Sequence, residues 1–446
     1  MKKMKVLLVT IISALLFAPL VNVSCSSGGG GAGQSQVATG TPTPTQTQVF
    51  SWVTNHSPLP QPTMQKPAKG VSFIDPVFKT KVIRITDAKA EGRQGVVPEY
   101  SKRQAWNSDE SLMLLRTGNG DTLLYDGNNY KYKKTLSEVG GEDVFWHPTN
   151  PVIIYYNPDN TLYRYNVTTG ENKKLYTFSD YDFANTRGEG NLSADGNYYA
   201  VCGQIYDSVA QEVFYKDLVV LQINTGKIIS RHSLPSGIVD FDWVSISPGG
   251  GYVVVDYSDT GTGRYHGLEV YDRNLNFLWQ KPLGAGHSDL GFDGNGNEVL
   301  VITIYDPDKN VNILKKYLLS DGTETTLLEL SAYFDMHISM RNETSHEWCY
   351  VSTFDFIGRL TDSASDWLPF EDEVFALKLD GSGSVRRIAH HHSRRYSPET
   401  PDSDNSVYFA EPHATISRRA NRILFGSNWR QNLPEVNGVD TYVVEW

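Results

Sequence analysis

The stretch Tyr408–Trp429 reads YFAEPHATISRRANRILFGSNW and decides how the rest of the chain is interpreted. A run of alternating polar and apolar residues ends at Ser417, a polar turn follows, and an apolar run returns at Ile423–Phe425, which is the pattern of two antiparallel strands. The same unit recurs six more times, at spacings of 40 to 54 residues with one gap of 76 before the last unit. The turn positions of the earlier units are Asn107, His147, Ser193, Ser247, Asp293 and Arg341. Repeats of this period, built from short strands, predict a β-propeller.

Each unit carries a third strand with its own turn, as in LLYDGNN from Leu123 and LYRYNVTTG from Leu162. The count predicts an all-β fold, a seven-bladed propeller over residues 70–446. The seventh unit lacks a fourth strand after Trp446, whereas Lys81–Thr86 (KVIRIT) is an unassigned strand before the first blade. We expect this N-terminal strand to complete the last blade and close the ring, because an unpaired edge strand promotes aggregation.

The N-terminal residues 1–25 have the features of a lipoprotein signal peptide. Three lysines lie within the first five residues, an apolar run Val6–Val21 follows, and NVSC ends at Cys25 in a pattern that resembles a bacterial lipobox. Residues 26–69 are rich in Gly and Ser, then in Thr, Pro and Gln, and are expected to form a disordered linker. We therefore predict a lipoprotein with Cys25 lipidated, at the outer membrane or surface of a bacterial cell envelope, with plain secretion as the alternative.

Charge and cysteine content limit the partners. The formal net charge of −11 argues against nucleic acid, so the only membrane contact expected is the N-terminal lipid anchor. Besides Cys25 there are Cys202 and Cys349, in the third and sixth repeats, which a ring would hold too far apart for a disulfide. We expect a monomer.

The innermost strands of a propeller line its central channel, so positions counted back from each turn should form rings of side chains. Four residues back lie Arg103, Asp143, Glu189, Trp243, Asp289, His337 and His413. Six residues back lie Ser101, Gly141, Arg187, Phe241, His287, Asp335 and Glu411. These rings are too polar for a core. They predict either a hydrated channel of paired charges or a functional site at one of its mouths.

Three histidines in neighbouring blades, His287, His337 and His413, are candidate ligands of a divalent metal. With Cys349, from the strand paired with that of His337, they would form a closed tetrahedral zinc site. Two histidines with Glu411 and an open position would instead resemble a catalytic centre. Zinc is favoured, with manganese or calcium as alternatives, and three hydrogen-bonded histidines without a metal are the simpler interpretation.

Other charged residues carry weaker signals. Arg264 and His266 lie in a Gly-rich loop of the fourth repeat and are suited to holding a carboxylate and moving a proton. The run His390–His392 is expected in a surface loop. Asp289 and Glu411 are the candidate carboxylate pair for a glycosidase. No phosphate-binding loop, dinucleotide fingerprint or HExxH helix is present in the sequence.

The repeats, the channel histidines and the EPH segment ending at His413 resemble those of seven-bladed propeller polysaccharide lyases, the group that includes oligogalacturonate lyases and ulvan lyases. The likeness to oligogalacturonate lyases implies a metal at His413 and His337, with Glu411 where that family has a histidine. It also implies His287 as general base and Arg264 as the arginine that binds the carboxylate. The likeness to ulvan lyases implies instead a zinc held by histidines and supported by Cys349.

This resemblance implies β-elimination on a uronate. A metal, or Arg264 with Arg187, neutralises the carboxylate, a His or Tyr removes the C5 proton, and the oxygen at C4 leaves. We include Glu189 among the candidate catalytic residues. The predicted function is a surface-tethered lyase acting on an acidic, uronate-containing glycan. The alternative is a non-catalytic propeller that binds glycan or protein partners.

Overall fold

The computed structural model describes residues 51–236, 238, 241–257, 263–284, 286–355, 364–394, 410–429 and 438–446. The first two strands are β1 (Ser72–Ile74) and β2 (Lys81–Arg84). The first blade contains β3 (Val96–Val97), β4 (Leu112–Thr117), β5 (Thr122–Asp126) and β6 (Tyr132–Thr135). The second contains β7 (Asp143–Trp146), β8 (Ile153–Asn157), β9 (Thr161–Asn166) and β10 (Asn172–Thr177). The third contains β11 (Phe183–Asn185), β12 (Tyr198–Asp207), β13 (Glu212–Gln222) and β14 (Lys227–Ser233).

The remaining blades repeat this arrangement of four antiparallel strands. The fourth contains β15 (Trp243–Ile246), β16 (Tyr252–Asp256), β17 (Leu268–Asp272) and β18 (Phe277–Lys281). The fifth contains β19 (Ser288–Phe292), β20 (Glu298–Asp306), β21 (Val311–Leu318) and β22 (Glu324–Ser331). The sixth contains β23 (Phe334–Ser339), β24 (Trp348–Asp355), β25 (Glu373–Lys378) and β26 (Val385–His390), with a 3-10 helix at Ala364–Asp366. The seventh contains β27 (Thr415–Ile416), β28 (Arg422–Ser427) and β29 (Asp440–Glu445).

The ring closes through the N-terminal strand, as predicted. Strand β2 pairs antiparallel with β29, with Lys81 opposite Glu445 and Arg84 opposite Tyr442, and β1 adds a fifth strand outside it. The seven-bladed all-β prediction is therefore confirmed. Apolar side chains from adjacent blades form the core; one cluster joins Val299 and Val301 of blade five to Phe375 and Leu377 of blade six.

Residues 51–69, which the sequence assigned to the linker, contact the sixth and seventh blades. Val53 forms a β-bridge with Arg387, and the ring of Trp52 lies 5.5 Å from that of Trp446. Further along, Lys66 forms an ion pair with Asp440 at 2.6 Å. The part of the expected linker that the structure describes is therefore packed chain. The signal peptide, Cys25 and linker residues 26–50 lie outside the described residues.

Cys202 and Cys349 are both buried and free. Among the described residues, no helix is long and apolar enough to cross a membrane.

The innermost strands of blades one and three are interrupted. In blade one the ladder runs from Val97 opposite Arg116 to the bridge of Trp106 with Met113, and residues 98–104 leave it between these points. Pro98 stands at the start of this excursion, where a residue without an N–H cannot continue the ladder. In blade three, residues 186–191 leave the ladder after β11, and the chain rejoins it at the bridge of Leu192 with Tyr199. Arg187 and Gly188 in this excursion have positive φ. Both excursions bring polar side chains to the channel.

Candidate metal centre and substrate clefts

The channel end nearest the starts of the innermost strands, here called the front mouth, brings together His337, Glu411 and His413. Nε2 of His337 and Nε2 of His413 lie 3.7 and 3.6 Å from Oε2 of Glu411. One possible ligand atom from each residue falls within 4.8 Å of the other two. All three side chains are buried. Two imidazoles and a carboxylate at this separation form a donor set that divalent metals accept.

His337 carries the clearest sign that this group binds something. Neither of its ring nitrogens has a hydrogen-bond partner among the described residues, although the side chain is only 1% exposed. Burial, with the charges of His287, His413 and Lys102, holds the pKa of His337 well below its usual range. Burial and His287 also lower the pKa of His413, to about 3. Both imidazoles are therefore neutral at pH 7, which is the form that coordinates a metal.

His287 lies beside this group. Its ring stacks on that of His337 with centroids 4.1 Å apart, and its Nδ1 lies 2.9 Å from Oδ1 of Asp335 and 2.7 Å from the carbonyl oxygen of Met336. Burial lowers the pKa of His287, but the hydrogen bond and charge of Asp335, with the charges of Glu189 and Glu411, together raise it to about 9. A protonated His287 is poorly suited to the general-base role that the resemblance to oligogalacturonate lyases implies.

Cys349 does not join the histidines. The residue opposite His337 on β24 is Ser352, and Cys349 pairs with Leu377 three residues further along. Because side chains alternate between the faces of a strand, this odd separation directs Cys349 into the core between blades five and six. Burial raises the pKa of its thiol to about 12. The structure thus places Cys349 in a hydrophobic cluster, away from the group expected to bind zinc.

Other channel charges form ion pairs. Arg103 donates to Asp143 at 2.9 Å, and Arg341 to Asp289 at 2.7 Å. The buried ammonium of Lys102 pairs with Glu189 and lies 4.4 Å from the ring centroid of Trp243. Asp289 and Glu189 are therefore held by cations in the channel wall.

A cleft of about 300 Å³ opens beside His413 at the front mouth; we call it the front cleft. The charged and aromatic residues that line it are Glu99, Tyr100, Arg116, Glu142, Arg187, Glu189 and His413. The ring of Tyr100 lies 5.2 Å from that of His413 and 5.5 Å from that of His337. Burial raises the pKa of Glu99 to about 7, against the lowering effect of Arg103 and Arg116. The front cleft therefore combines two arginines with a carboxyl group that titrates near neutral pH.

Arg264 lies apart from this cleft. Its guanidinium donates to both carboxylate oxygens of buried Glu269, at 2.9 and 3.1 Å, and packs 3.8 Å from the ring centroid of Phe277. These contacts, with a further hydrogen bond to Tyr271, hold Arg264 within blade four. The structure does not bring it to His337, and Arg116 and Arg187 are the arginines beside the metal-binding group.

Four residues at the channel and the front cleft were not predicted from the sequence: Glu99, Tyr100, Lys102 and Arg116. The first three lie on the 98–104 excursion, where counting positions along a regular strand fails. The available signal was Pro98, placed directly after the strand VV. The expectation of a surface loop for His390–His392 was also wrong, because all three are buried. His390 and His392 bond to Leu59 and Gln61 of the 51–69 segment, and His391 bonds to Thr353 of blade six.

Solved structures with the same architecture include an oligogalacturonate lyase from Vibrio parahaemolyticus, with a TM-score of 0.59 and 12% identity over 84% of this chain and 96% of that one. An oligogalacturonate lyase in complex with manganese matches with a TM-score of 0.58 and 14% identity over 84% of this chain and 95% of that one. No protein-family model and no curated protein sequence matches the chain. The resemblance expected from the sequence is thus confirmed at the level of fold: the chain is a seven-bladed β-propeller similar to those of oligogalacturonate lyases.

Proposed function

We propose that this protein is a metal-dependent lyase that cleaves an acidic, uronate-containing glycan by β-elimination at the front mouth. One observation carries the proposal: a buried group of two neutral histidines and Glu411, with no hydrogen-bond partner for either nitrogen of His337 in the described chain, stands beside a cleft with two arginines. Unpartnered buried polar atoms are costly, so their presence where blades six and seven meet favours a ligand. Two structural neighbours are oligogalacturonate lyases, and this similarity of fold favours lyase chemistry by analogy.

His337, Glu411 and His413 would hold the metal, which as a Lewis acid would stabilise negative charge developing on the uronate. Zinc accepts this donor set with an open position, and manganese is the metal in one of the neighbours' complexes. Arg116 and Arg187 would bind the uronate carboxylate, which makes the C5 proton more acidic.

The bond changes assign the remaining roles. The C5–H bond breaks, a double bond forms between C4 and C5, and the C4–O bond breaks. Glu99 would accept the C5 proton, since a carboxyl group with a pKa near 7 suits a general base at neutral pH. Tyr100, in the same cleft, is the second candidate for this role. Protonated His287 would donate to the departing C4 oxygen.

We further propose that the lipidated Cys25 tethers a monomeric propeller to the bacterial cell envelope, with residues 26–50 as the spacer. This rests on the sequence pattern of residues 1–25 and on the polar composition that follows. Substitution of Cys25 by Ser should move the protein from the membrane fraction to the soluble fraction of cells, and an unchanged partition would contradict the tether.

The activity is tested by following the ultraviolet absorbance of unsaturated uronate while the full chain is incubated with a panel of uronate polymers, with and without added zinc or manganese. We expect a metal-dependent rise on at least one polymer. The Cys349→Ala variant is the matched control, because it should keep both metal and activity. A flat trace across the panel, with metal still bound to His337 and His413, would favour a non-catalytic binding propeller.

A further inference from the structure

The hairpin of strands β20 and β21 in blade five is longer than the corresponding hairpins of most other blades. These strands have nine and eight residues, whereas β16 and β17 of blade four have five each. Tyr305 lies near the end of β20, and its side chain is 53% exposed. Its hydroxyl donates a hydrogen bond to Oδ1 of Asn310, on the same hairpin, at 3.0 Å.

The side on which Tyr305 lies follows from strand alternation. Val299 and Val301 of the same strand face the core shared with blade six, and Thr303 and Tyr305 continue that face beyond the core. They line an open cleft of about 400 Å³, here called the side cleft, together with His287, Asn312 and Asp335. The Thr303 hydroxyl is buried in this wall and has no hydrogen-bond partner among the described residues.

The side cleft reaches the metal-binding group. His287 lines it and stacks on His337 at 4.1 Å, whereas the front cleft reaches the same group through His413. The side cleft therefore reaches His337 through His287, and the front cleft reaches His413 directly. A chain bound across the front mouth would place one sugar in each.

The clefts differ in charge. The front cleft has two arginines, Arg116 and Arg187, beside three carboxyl groups, those of Glu99, Glu142 and Glu189. Glu189 is paired with Lys102, and burial raises the pKa of Glu99 to about 7. No Arg or Lys is among the described residues that line the side cleft. Its one cationic side chain, His287, is already paired with Asp335. A carboxylate placed there would meet Asp335 without a free cation, and like charges repel.

We propose that the side cleft is a second sugar subsite that takes a neutral sugar residue, with Tyr305 as the surface on which its apolar face packs. The substrate would then be a glycan that alternates uronate with neutral sugar, bound with residues on both sides of the bond that breaks. This rests on the proposed lyase function. An exposed tyrosine beside hydrogen-bonding groups suits a sugar, because a sugar has an apolar face of C–H groups as well as hydroxyl groups.

The test measures binding apart from cleavage. Calorimetric titration of the full-length, EDTA-treated protein would compare a hyaluronan tetrasaccharide, which alternates glucuronate with a neutral N-acetyl sugar, with tetragalacturonate, in which every residue is acidic. We expect tighter binding of the alternating oligomer and a loss of about 3–10-fold in its affinity in Tyr305→Ala. Tyr305→Phe should retain the affinity, since it keeps the ring.

Tyr132→Ala is the matched control, because Tyr132 is 40% exposed on the outer strand of blade one and lines neither cleft. The proposal is overturned if the Tyr305→Ala and Tyr132→Ala variants bind alike, if tetragalacturonate binds as well as the alternating oligomer, or if neither oligomer binds. Cleavage is followed separately, by the ultraviolet absorbance of each oligomer with zinc or manganese restored to the protein. Cleavage there, without any effect of Tyr305→Ala on binding, would remove the subsite and leave the lyase. Binding that depends on Tyr305, without cleavage of either oligomer, would keep the subsite and remove the lyase.

Discussion

Two histidine clusters in this molecule use the same side chain in opposite ways. In the central cluster, His337 has no hydrogen-bond partner for either ring nitrogen within the described chain and lies 3.7 Å from a buried carboxylate. In the peripheral cluster, His390 and His391 bond through Nε2 to the carbonyl oxygens of Leu59 and Thr353, each at 2.8 Å. Burial alone therefore does not mark a functional histidine. The distinguishing feature is whether its ring nitrogens are hydrogen-bonded within the protein.

The peripheral cluster also shows what a structural charge looks like. Arg387 is fully buried, and its guanidinium pairs with both oxygens of Glu373 and donates to the carbonyl oxygen of Ser57 at 2.7 Å. These contacts fix the 51–69 segment to blade six. His392 stacks on Trp429 at 4.1 Å, which extends the same attachment to blade seven. The cluster stabilises the region where the ring closes.

The sharpest test compares one histidine variant from each cluster. We expect His337→Ala to lower metal affinity and the rate of elimination by more than about 100-fold, since changes even outside the ligand shell typically cost 10–100-fold. His391→Ala should keep both but lose about 2–5 kcal/mol of unfolding free energy, as a cavity replaces a bonded side chain. Metal analysis, the absorbance assay and denaturant titration give the three readouts. Loss of metal in His391→Ala with retention in His337→Ala would reverse the assignment.

Breaking the peripheral ion pair should give the next largest effect. Arg387→Met leaves the Glu373 carboxylate buried without its partner, so we expect the unfolding free energy to fall by about 3–5 kcal/mol. The double variant Arg387→Met with Glu373→Leu should recover much of this loss. Metal content should stay unchanged in both. If Arg387→Met is as stable as wild type in denaturant titration, the ion pair of Arg387 with Glu373 does not hold the N-terminal segment in place.

The smallest expected effect concerns pH and Glu99. Its pKa of about 7 in the folded chain lies above the ordinary value near 4.5, so the native state binds this proton more tightly than the unfolded state does. The free energy of unfolding should therefore fall by about 1–3 kcal/mol as pH rises from 4.5 to 7 through this group. Glu99→Gln should remove that part of the slope, measured as the difference from wild type.

The same variant tests the catalytic role of Glu99. If Glu99 accepts the C5 proton, the rate of elimination in wild type should rise with pH through about 7 as the carboxylate forms. Glu99→Gln should abolish this limb of the profile, and a profile unchanged in the variant would transfer the role to Tyr100.

The sequence by itself determined the number of blades, the closing strand and part of the channel. Asp143, Trp243, Asp289 and His337 lie on continuous innermost strands, as counting back from the turns predicted, and the structure buries all four. This succeeded because a regular ladder preserves the two-residue alternation of side chains. Closure by Lys81–Arg84 was equally visible, since an unpaired strand and a blade lacking one were both evident in the repeat.

Tertiary structure alone decided which of these residues form a site. The 98–104 excursion breaks the alternation and brings Glu99, Tyr100 and Lys102 to the channel, and strand register sends Cys349 into the core. Arg264 is paired with Glu269, five residues away, whereas His390 and His392 bond to a segment more than 300 residues earlier in the chain. Repeat patterns report local periodicity, whereas the partner of a charge depends on which distant segments the closed ring brings together.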